Sequence, residues 1–314
     1  MTGPDARTWL SGILAGKMPA VGQARLAPML SPSGRLLGDL TLFNWDDETW
    51  WIIGSYYLRR WHLRWLEAHL PAEGVHIEDL SDVIGGFAIF GPKAREILAR
   101  ITDSDVSNEA LQFMGCRVMD VGLLRARIGR LSITGELGYE INVPAAEHLT
   151  LYETLRKAGD DLGLTPVGYN AVLSLRLEKS FGIWNREFSW AYTPRMSGLS
   201  RFVAYDRHEF VGREAALADR ERTSQRSTLV TLEVDVDNAD ASGFEPLWAG
   251  KRRVGFVTSG GFGHTVSKSL AMAYVDTEVS AAGTELDIHI VGDKRRCRVI
   301  APSPFDPSGK RMRG

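Results

Sequence analysis

PMLSPSGRLLGDLT, residues 28–41, is the stretch of sequence that decides how this chain folds. Its centre is polar and contains Pro32 and Gly34, which together signal a turn. The residues on both sides are rich in apolar strand formers, so the turn is expected to close a hairpin. We predict an extended segment over residues 23–30 and a strand over residues 35–43.

Asp39 lies inside the apolar run of the second predicted strand. An unpaired carboxylate in such a run costs free energy, so it must be exposed, bonded to backbone groups or functional. Strand alternation puts Asp39 on the same face as Leu37 and Thr41. Periodicity alone favours an edge strand with Asp39 on its wet side.

The rest of the chain divides into two patterns. Up to residue 226, short strands alternate with helical stretches such as residues 58–70, 149–158 and 168–179, which indicates an α+β domain with mostly antiparallel sheets and flanking helices. From residue 227 to residue 314, short β-type runs are separated by Gly, Asp and Asn. This second pattern predicts a small C-terminal β-barrel domain.

Composition excludes several classes of function. The 314 residues carry a formal net charge of -2, which argues against a nucleic-acid partner. The two cysteines show no metal-ligand spacing, so we expect no metal site and a reducing compartment. No apolar stretch approaches the roughly 20 residues that span a bilayer. We therefore expect a soluble cytoplasmic protein without a membrane partner.

Glu178 ends a helical pattern and by itself is typical of a solvated charge at a helix end. The loop after it contains Trp184. A carboxylate beside an aromatic platform suits a flat heterocycle with adjacent N–H donors, because it accepts two parallel hydrogen bonds while the ring stacks. The residues alone leave both interpretations open.

Five motifs carry a resemblance to a known family. They are the segment 28–41, TGELGYE at 134–140, SLRLEK at 174–179, FVGREA at 210–215 and VTSGG at 257–261. Their order and sequence resemble the aminomethyltransferase family, which includes the glycine-cleavage T-protein and the C-terminal domain of dimethylglycine and sarcosine dehydrogenases. The run Trp184 to Glu187 and the pair Gly263-His264 resemble the dehydrogenase-linked branch.

The resemblance implies an aminomethyltransferase-like fold with a tetrahydrofolate site in its central channel. Asp39 matches the acidic residue near the reactive folate nitrogens, so its implied role is catalytic, as a general base or an electrostatic stabiliser. Glu178 matches the carboxylate that grips the amino-pyrimidine edge of the pterin. Besides Asp39, six positions match folate-pocket residues: Thr41, Gly54, Ser55, Glu178, Trp184 and Arg226.

The chain departs from the family at its N-terminus. Relatives carry several dozen residues before the helix entry that here stands at residues 2–6. We expect a fragment, a partner subunit that supplies the missing piece, or a fold that tolerates the loss. No dinucleotide fingerprint marks a flavin domain, so the expected partners are a small-molecule methyl donor and a separate flavin oxidoreductase subunit.

The implied function is transfer of a methylene or methyl group from an N-methylated amine, similar to dimethylglycine or sarcosine, onto tetrahydrofolate. Two alternatives stay open. The protein could be a tetrahydrofolate-dependent demethylase that acts on O- or S-methyl donors. It could also be a non-catalytic folate-binding subunit of a larger flavin oxidoreductase complex.

Overall fold

The computed structural model describes residues 1–223 and 225–314. Its first sheet has three antiparallel strands in the order β1 (Gln23–Leu30), β2 (Leu36–Asn44) and β3 (Trp50–Ile53). The hairpin predicted from residues 28–41 is confirmed. The edge-strand prediction is wrong, because β2 also pairs with β3 and is therefore the central strand. Helices α1 (Ala6–Ile13) and α2 (Arg59–Glu67) share an apolar core with this sheet.

The second sheet has four antiparallel strands in the order β4-β7-β6-β5. One face packs on two helices, and its core includes Ile128, Tyr139 and Leu155. The bounds of these elements are β4 Ile84–Phe90, α3 Ala94–Ala99, β5 Cys116–Val121, β6 Leu124–Gly129, β7 Gly138–Pro144 and α4 His148–Gly159.

The opposite face of the second sheet turns toward the first sheet. The Arg127 guanidinium lies over the ring of Trp51, 5.0 Å from its centroid, and 5.8 Å from the Trp45 ring. A Cβ added at Gly129 would lie 2.5 Å from Cε1 of Phe43, so only glycine allows this approach. The two sheets therefore border a common space.

The C-terminal part is a closed six-stranded barrel with strand order β10-β11-β8-β13-β12-β9. The α+β class, with antiparallel sheets and a C-terminal barrel, is thereby confirmed. The division into residues 1–226 and 227–314 remains our proposal. The remaining elements are α5 Tyr169–Glu178, α6 Arg213–Glu221, β8 Ser227–Val234, β9 Pro246–Ala249, β10 Arg252–Gly263, β11 Lys268–Asp276, β12 Glu285–Ile290, β13 Asp293–Ile300 and α7 Lys310–Arg313.

Within residues 1–223 and 225–314, no helix has the length and apolar character needed to cross a membrane.

A buried ion pair joins α5 to the barrel. Arg176 Nη1 lies 2.8 Å from Glu187 Oε2, and the two side chains are 3% and 0% exposed. Glu187 Oε1 accepts a hydrogen bond from the Thr258 hydroxyl at 2.7 Å, and Arg176 Nη2 donates to the Ser259 hydroxyl at 2.5 Å. Each charge is therefore both paired and hydrogen-bonded, which is what makes such burial tolerable.

Glu187→Ala should lower the free energy of unfolding by about 3–5 kcal/mol, because it leaves Arg176 charged and unpaired in the interior. Urea unfolding measures the change. The matched control is Asp120→Ala, which removes an exposed ion pair with Arg125, whose partners are 72% and 65% exposed. We expect a change below about 1 kcal/mol there. Equal effects in both variants would contradict a structural role for the buried pair.

Candidate functional site

Asp39 lies at the middle of β2, on the less buried face of the strand. Burial alternates along residues 36–42, with Leu36, Gly38 and Leu40 buried and Asp39 and Thr41 half-buried. Asp39 makes no side-chain hydrogen bond or ion pair with another described residue. Loss of hydration raises the pKa of the Asp39 carboxyl to about 6, against a smaller lowering by a hydrogen bond from its own backbone.

A second carboxylate, Glu140, lies on β7 of the facing sheet. It pairs across the strands with Gly129, the glycine that the Phe43 ring approaches. Phe43 is four residues from Asp39 on β2 and so shares its face. Asp39 and Glu140 therefore lie on the faces by which the two sheets approach each other. Burial raises the pKa of Glu140, and its carboxylate makes no hydrogen bond within the described part of the chain.

Glu140 is the last residue of the TGELGYE motif, but the sequence alone predicted no role for it. A signal was present, because Tyr139, Ile141 and Val143 are apolar and alternate with it, which turns Glu140 away from the core. What the sequence did not contain is the position of Gly129 beside it. That pairing places the carboxylate beside the position that the Phe43 ring approaches.

Gly54 and Ser55 follow β3 and line a cavity of about 340 Å³ between β3, α2 and the segment before β4. Gly54 and Gly38 both make room for His62, since a Cβ at either glycine would come within 3.2 Å of a ring nitrogen. His62 Nε2 is 2.9 Å from the Leu37 carbonyl oxygen. Burial lowers the pKa of His62, which favours the neutral imidazole.

Glu178 is fully enclosed at the end of α5, so the interpretation as a solvated helix-end charge is wrong. Its Oε1 accepts hydrogen bonds from the backbone N–H groups of Thr265 at 2.6 Å and Val266 at 3.2 Å, in the turn between β10 and β11. Its Oε2 is buried and has no partner among residues 1–223 and 225–314. Oε2 is therefore not accessible to a ligand in this conformation, and the pterin-gripping role of Glu178 stays a prediction.

Trp184 and Arg226 lie in different surroundings from Asp39. Trp184 is buried in a cluster that includes Leu36, and its ring meets Trp190 edge-on at 6.4 Å. Arg226 is exposed just before β8 and lines a second cavity. Thus the structure puts Asp39 and Thr41 on one face and Gly54 and Ser55 in a neighbouring cavity. The folate contacts of Trp184 and Arg226 stay predictions.

Comparisons with known proteins cover nearly the whole chain. Residues 1–207 match the GCVT N-terminal domain, and residues 228–306 match the glycine cleavage T-protein C-terminal barrel domain. Human mitochondrial dimethylglycine dehydrogenase is 30% identical over 99% of this chain and 36% of its own length. The chain thus spans about a third of the length of the dimethylglycine dehydrogenases that it matches.

Proteins of more similar length also match. The aminomethyltransferase of Acidobacterium capsulatum is 30% identical over 91% of this chain and 76% of its own length. The crystal structure of the glycine cleavage system aminomethyltransferase T from Bartonella henselae superimposes with a TM-score of 0.87 at 26% identity. That match covers 98% of this chain and 83% of the other.

Asp39→Asn should stabilise the fold at alkaline pH. A pKa raised from 3.8 to about 6 means that folding binds the proton more tightly, so stability falls as pH rises between these values. The variant escapes this cost, and we expect it to be more stable by on the order of 2 kcal/mol at pH 8 and equal below about pH 4. Urea unfolding at both pH values measures the difference.

The control for this experiment is Asp47→Asn, in an exposed turn, which should shift stability little at either pH. An Asp39→Asn variant that is less stable than the parent at pH 8 would show that the ionised carboxylate has a stabilising partner.

Proposed function

Since the chain belongs to the glycine cleavage T-protein family, we propose that it transfers a one-carbon unit to tetrahydrofolate. Several relatives are aminomethyltransferases, and we propose that the chain is a transferase of that kind. As donor we propose an N-methylated amine of the dimethylglycine or sarcosine type, because dimethylglycine dehydrogenases are among its relatives.

One observation carries this proposal: two half-buried carboxylates with raised pKa values, neither with a side-chain partner among the described residues, lie on the facing sides of two sheets. Buried carboxylates normally have partners, so a pair without them points to a ligand that supplies the donors. The amino-pyrimidine edge of tetrahydrofolate offers adjacent N–H groups, and a carboxylate accepts two parallel hydrogen bonds from such an edge. The residues present therefore fit the molecule.

We propose that Glu140 binds the amino-pyrimidine edge of tetrahydrofolate and that Asp39 lies next to its reactive nitrogens. Glu178 remains the alternative for this edge, because its Oε2 also has no partner among the residues that the structure describes, although it is enclosed. Thr41 lies two residues from Asp39 on the same face and offers a hydroxyl to the same space. Gly54 and Ser55 would border the ligand from the neighbouring cavity.

Bound tetrahydrofolate would supply the secondary-amine nitrogens that take up the carbon. Asp39 is ionised at neutral pH yet basic enough to hold a proton, because its pKa is about 6. It can accept the proton that a nitrogen loses, and its charge stabilises a developing cation on the donor. The partly dry space strengthens this electrostatic effect, since few waters screen it.

We propose that oxidation of the amine to an iminium takes place on a flavin oxidoreductase, in a separate subunit, and that this chain captures the carbon. The dimethylglycine dehydrogenases support this, since they extend well beyond the region that the chain matches. Direct transfer of a methyl group from an O- or S-methyl donor is the second candidate. An Asp39 that has no partner within residues 1–223 and 225–314 counts against a purely structural subunit, because a scaffold gains no stability from such a carboxylate.

Glu140→Gln should weaken tetrahydrofolate binding about tenfold or more, because it removes a charge-assisted acceptor. Calorimetric titration gives the Kd. Glu178→Gln is the matched comparison, since it alters the other candidate carboxylate. We expect it to change the Kd less than about threefold, a shift below 1 kcal/mol. If binding is lost in Glu178→Gln and kept in Glu140→Gln, the two assignments must be exchanged.

Asp39→Asn should reduce turnover about 10²–10⁴-fold while leaving the Kd for tetrahydrofolate within about threefold. In the parent protein, kcat should rise with pH through about 6 as Asp39 ionises, and this limb should be missing in the variant. The assay couples the purified chain to a flavin oxidase acting on sarcosine and follows methylenetetrahydrofolate. Equal loss of binding and turnover would contradict the catalytic role, and methyltetrahydrofolate as product would favour the demethylase.

A further inference from the structure

A second cavity of about 690 Å³ lies on the barrel, where β8 begins and β10 passes β11. Two arginines line it, Arg226 before β8 and Arg253 on β10. Neither guanidinium makes a hydrogen bond or ion pair with any residue in the described ranges. Guanidinium groups bind carboxylates and phosphates through paired N–H donors, so two of them in one cavity are suited to an anion.

The wall of this cavity is aromatic. The rings of Tyr192 and Tyr274 stack with centroids 3.8 Å apart, and Phe256 lies 6.4 Å from Tyr274 and is 37% exposed. The Tyr274 hydroxyl donates to the Glu187 carbonyl oxygen at 2.8 Å. The stack is thus anchored to the interior.

Phe244 also lines the cavity, and its backbone has φ +71°, in the left-handed region that a bulky residue rarely adopts. Its side chain is 77% exposed. The loop is fixed by the Glu245 carboxylate, which accepts hydrogen bonds from the backbone N–H groups of Ser242 and Gly243, each at 2.8 Å. Strained backbone conformations cluster at ligand clamps and active sites, so the exposed Phe244 ring is a candidate ligand contact.

The charge of the cavity is positive. Asp276 is the acidic residue in its lining, and its carboxylate lies 3.1 Å from Arg252, with which it forms an ion pair. It therefore does little to offset Arg226 and Arg253. An anion that enters the cavity meets two uncommitted guanidinium groups beside exposed aromatic rings.

We propose that this cavity binds a small anion that carries a flat aromatic ring. The ring lies against Phe244 and Phe256, and the carboxylate or phosphate is held by Arg226 and Arg253. Two sources share this chemistry: a mononucleotide, and the p-aminobenzoylglutamate part of a folate. The proposal does not depend on the function proposed for Asp39, and it gives Arg226 a role outside the space between the sheets.

The first test is calorimetric titration of the whole chain with adenosine monophosphate and with p-aminobenzoylglutamate. We expect at least one to bind saturably, about tenfold or more tightly than adenosine alone or inorganic phosphate alone, which each offer half of the chemistry. If the nucleotide alone binds, the cavity is a nucleotide site. If p-aminobenzoylglutamate alone binds, the cavity takes the tail of a folate. Absence of binding for both probes overturns the proposal.

Variants then locate the site. Arg226→Ala and Arg253→Ala should each weaken the bound probe about tenfold or more, a loss near 1.4 kcal/mol. Phe244→Asn, which tolerates the left-handed backbone, should weaken it as well. The control is Lys251→Ala, an exposed cation next to β10 that does not line the cavity. An equal loss in Lys251→Ala, or none in the arginine variants, overturns the proposal.

Asp39→Asn separates this site from the proposed function. We expect the variant to bind the probe as the parent protein does, whatever its turnover. Weakened probe binding in Asp39→Asn would mean that the two sites are one, against the proposal.

Discussion

The buried ion pair between Arg176 and Glu187 is the interaction on which the arrangement of the molecule depends. It connects α5, the loop that carries Trp184, and β10 of the barrel. Removal of one partner from such a pair leaves an uncompensated charge, so the three elements can hardly separate one at a time. The Glu187 carbonyl also accepts from Tyr274, which extends the connection to the aromatic wall of the second cavity.

Against this rigid frame, the space between the sheets is built at a cost to stability. Asp39 and Glu140 are half-buried and have no side-chain partner in the described part of the chain, and both pKa values are raised because the charged forms lose hydration. Neutral residues at both positions would make the fold more stable. Residues that lower stability in this way are expected at functional sites. The same logic applies to Phe244, whose backbone is strained and whose ring is exposed.

The sequence was sufficient for the hairpin at 28–41, the barrel and the family, because each rests on local patterns or ordered motifs. It misjudged β2 as an edge strand, since pairing with β3 depends on how the chain returns after residue 44. It also allowed Glu178 to be interpreted as a solvated charge, because the turn at Thr265 that binds its carboxylate lies 87 residues away in the sequence. Glu140 was passed over for the same reason: its neighbour Gly129 belongs to another strand.

The Phe43 ring occupies the space that a side chain at Gly129 would need, although the two residues are far apart in the sequence. Since a Cβ at 129 would lie 2.5 Å from the phenyl ring, a larger residue there requires a smaller one at 43. Relatives that carry a side chain at the position of Gly129 should therefore have a residue smaller than phenylalanine at the position of Phe43. The separation of the sheets, and with it the depth available to a ligand, therefore depends on both residues together, and evolution can change it only by changing both.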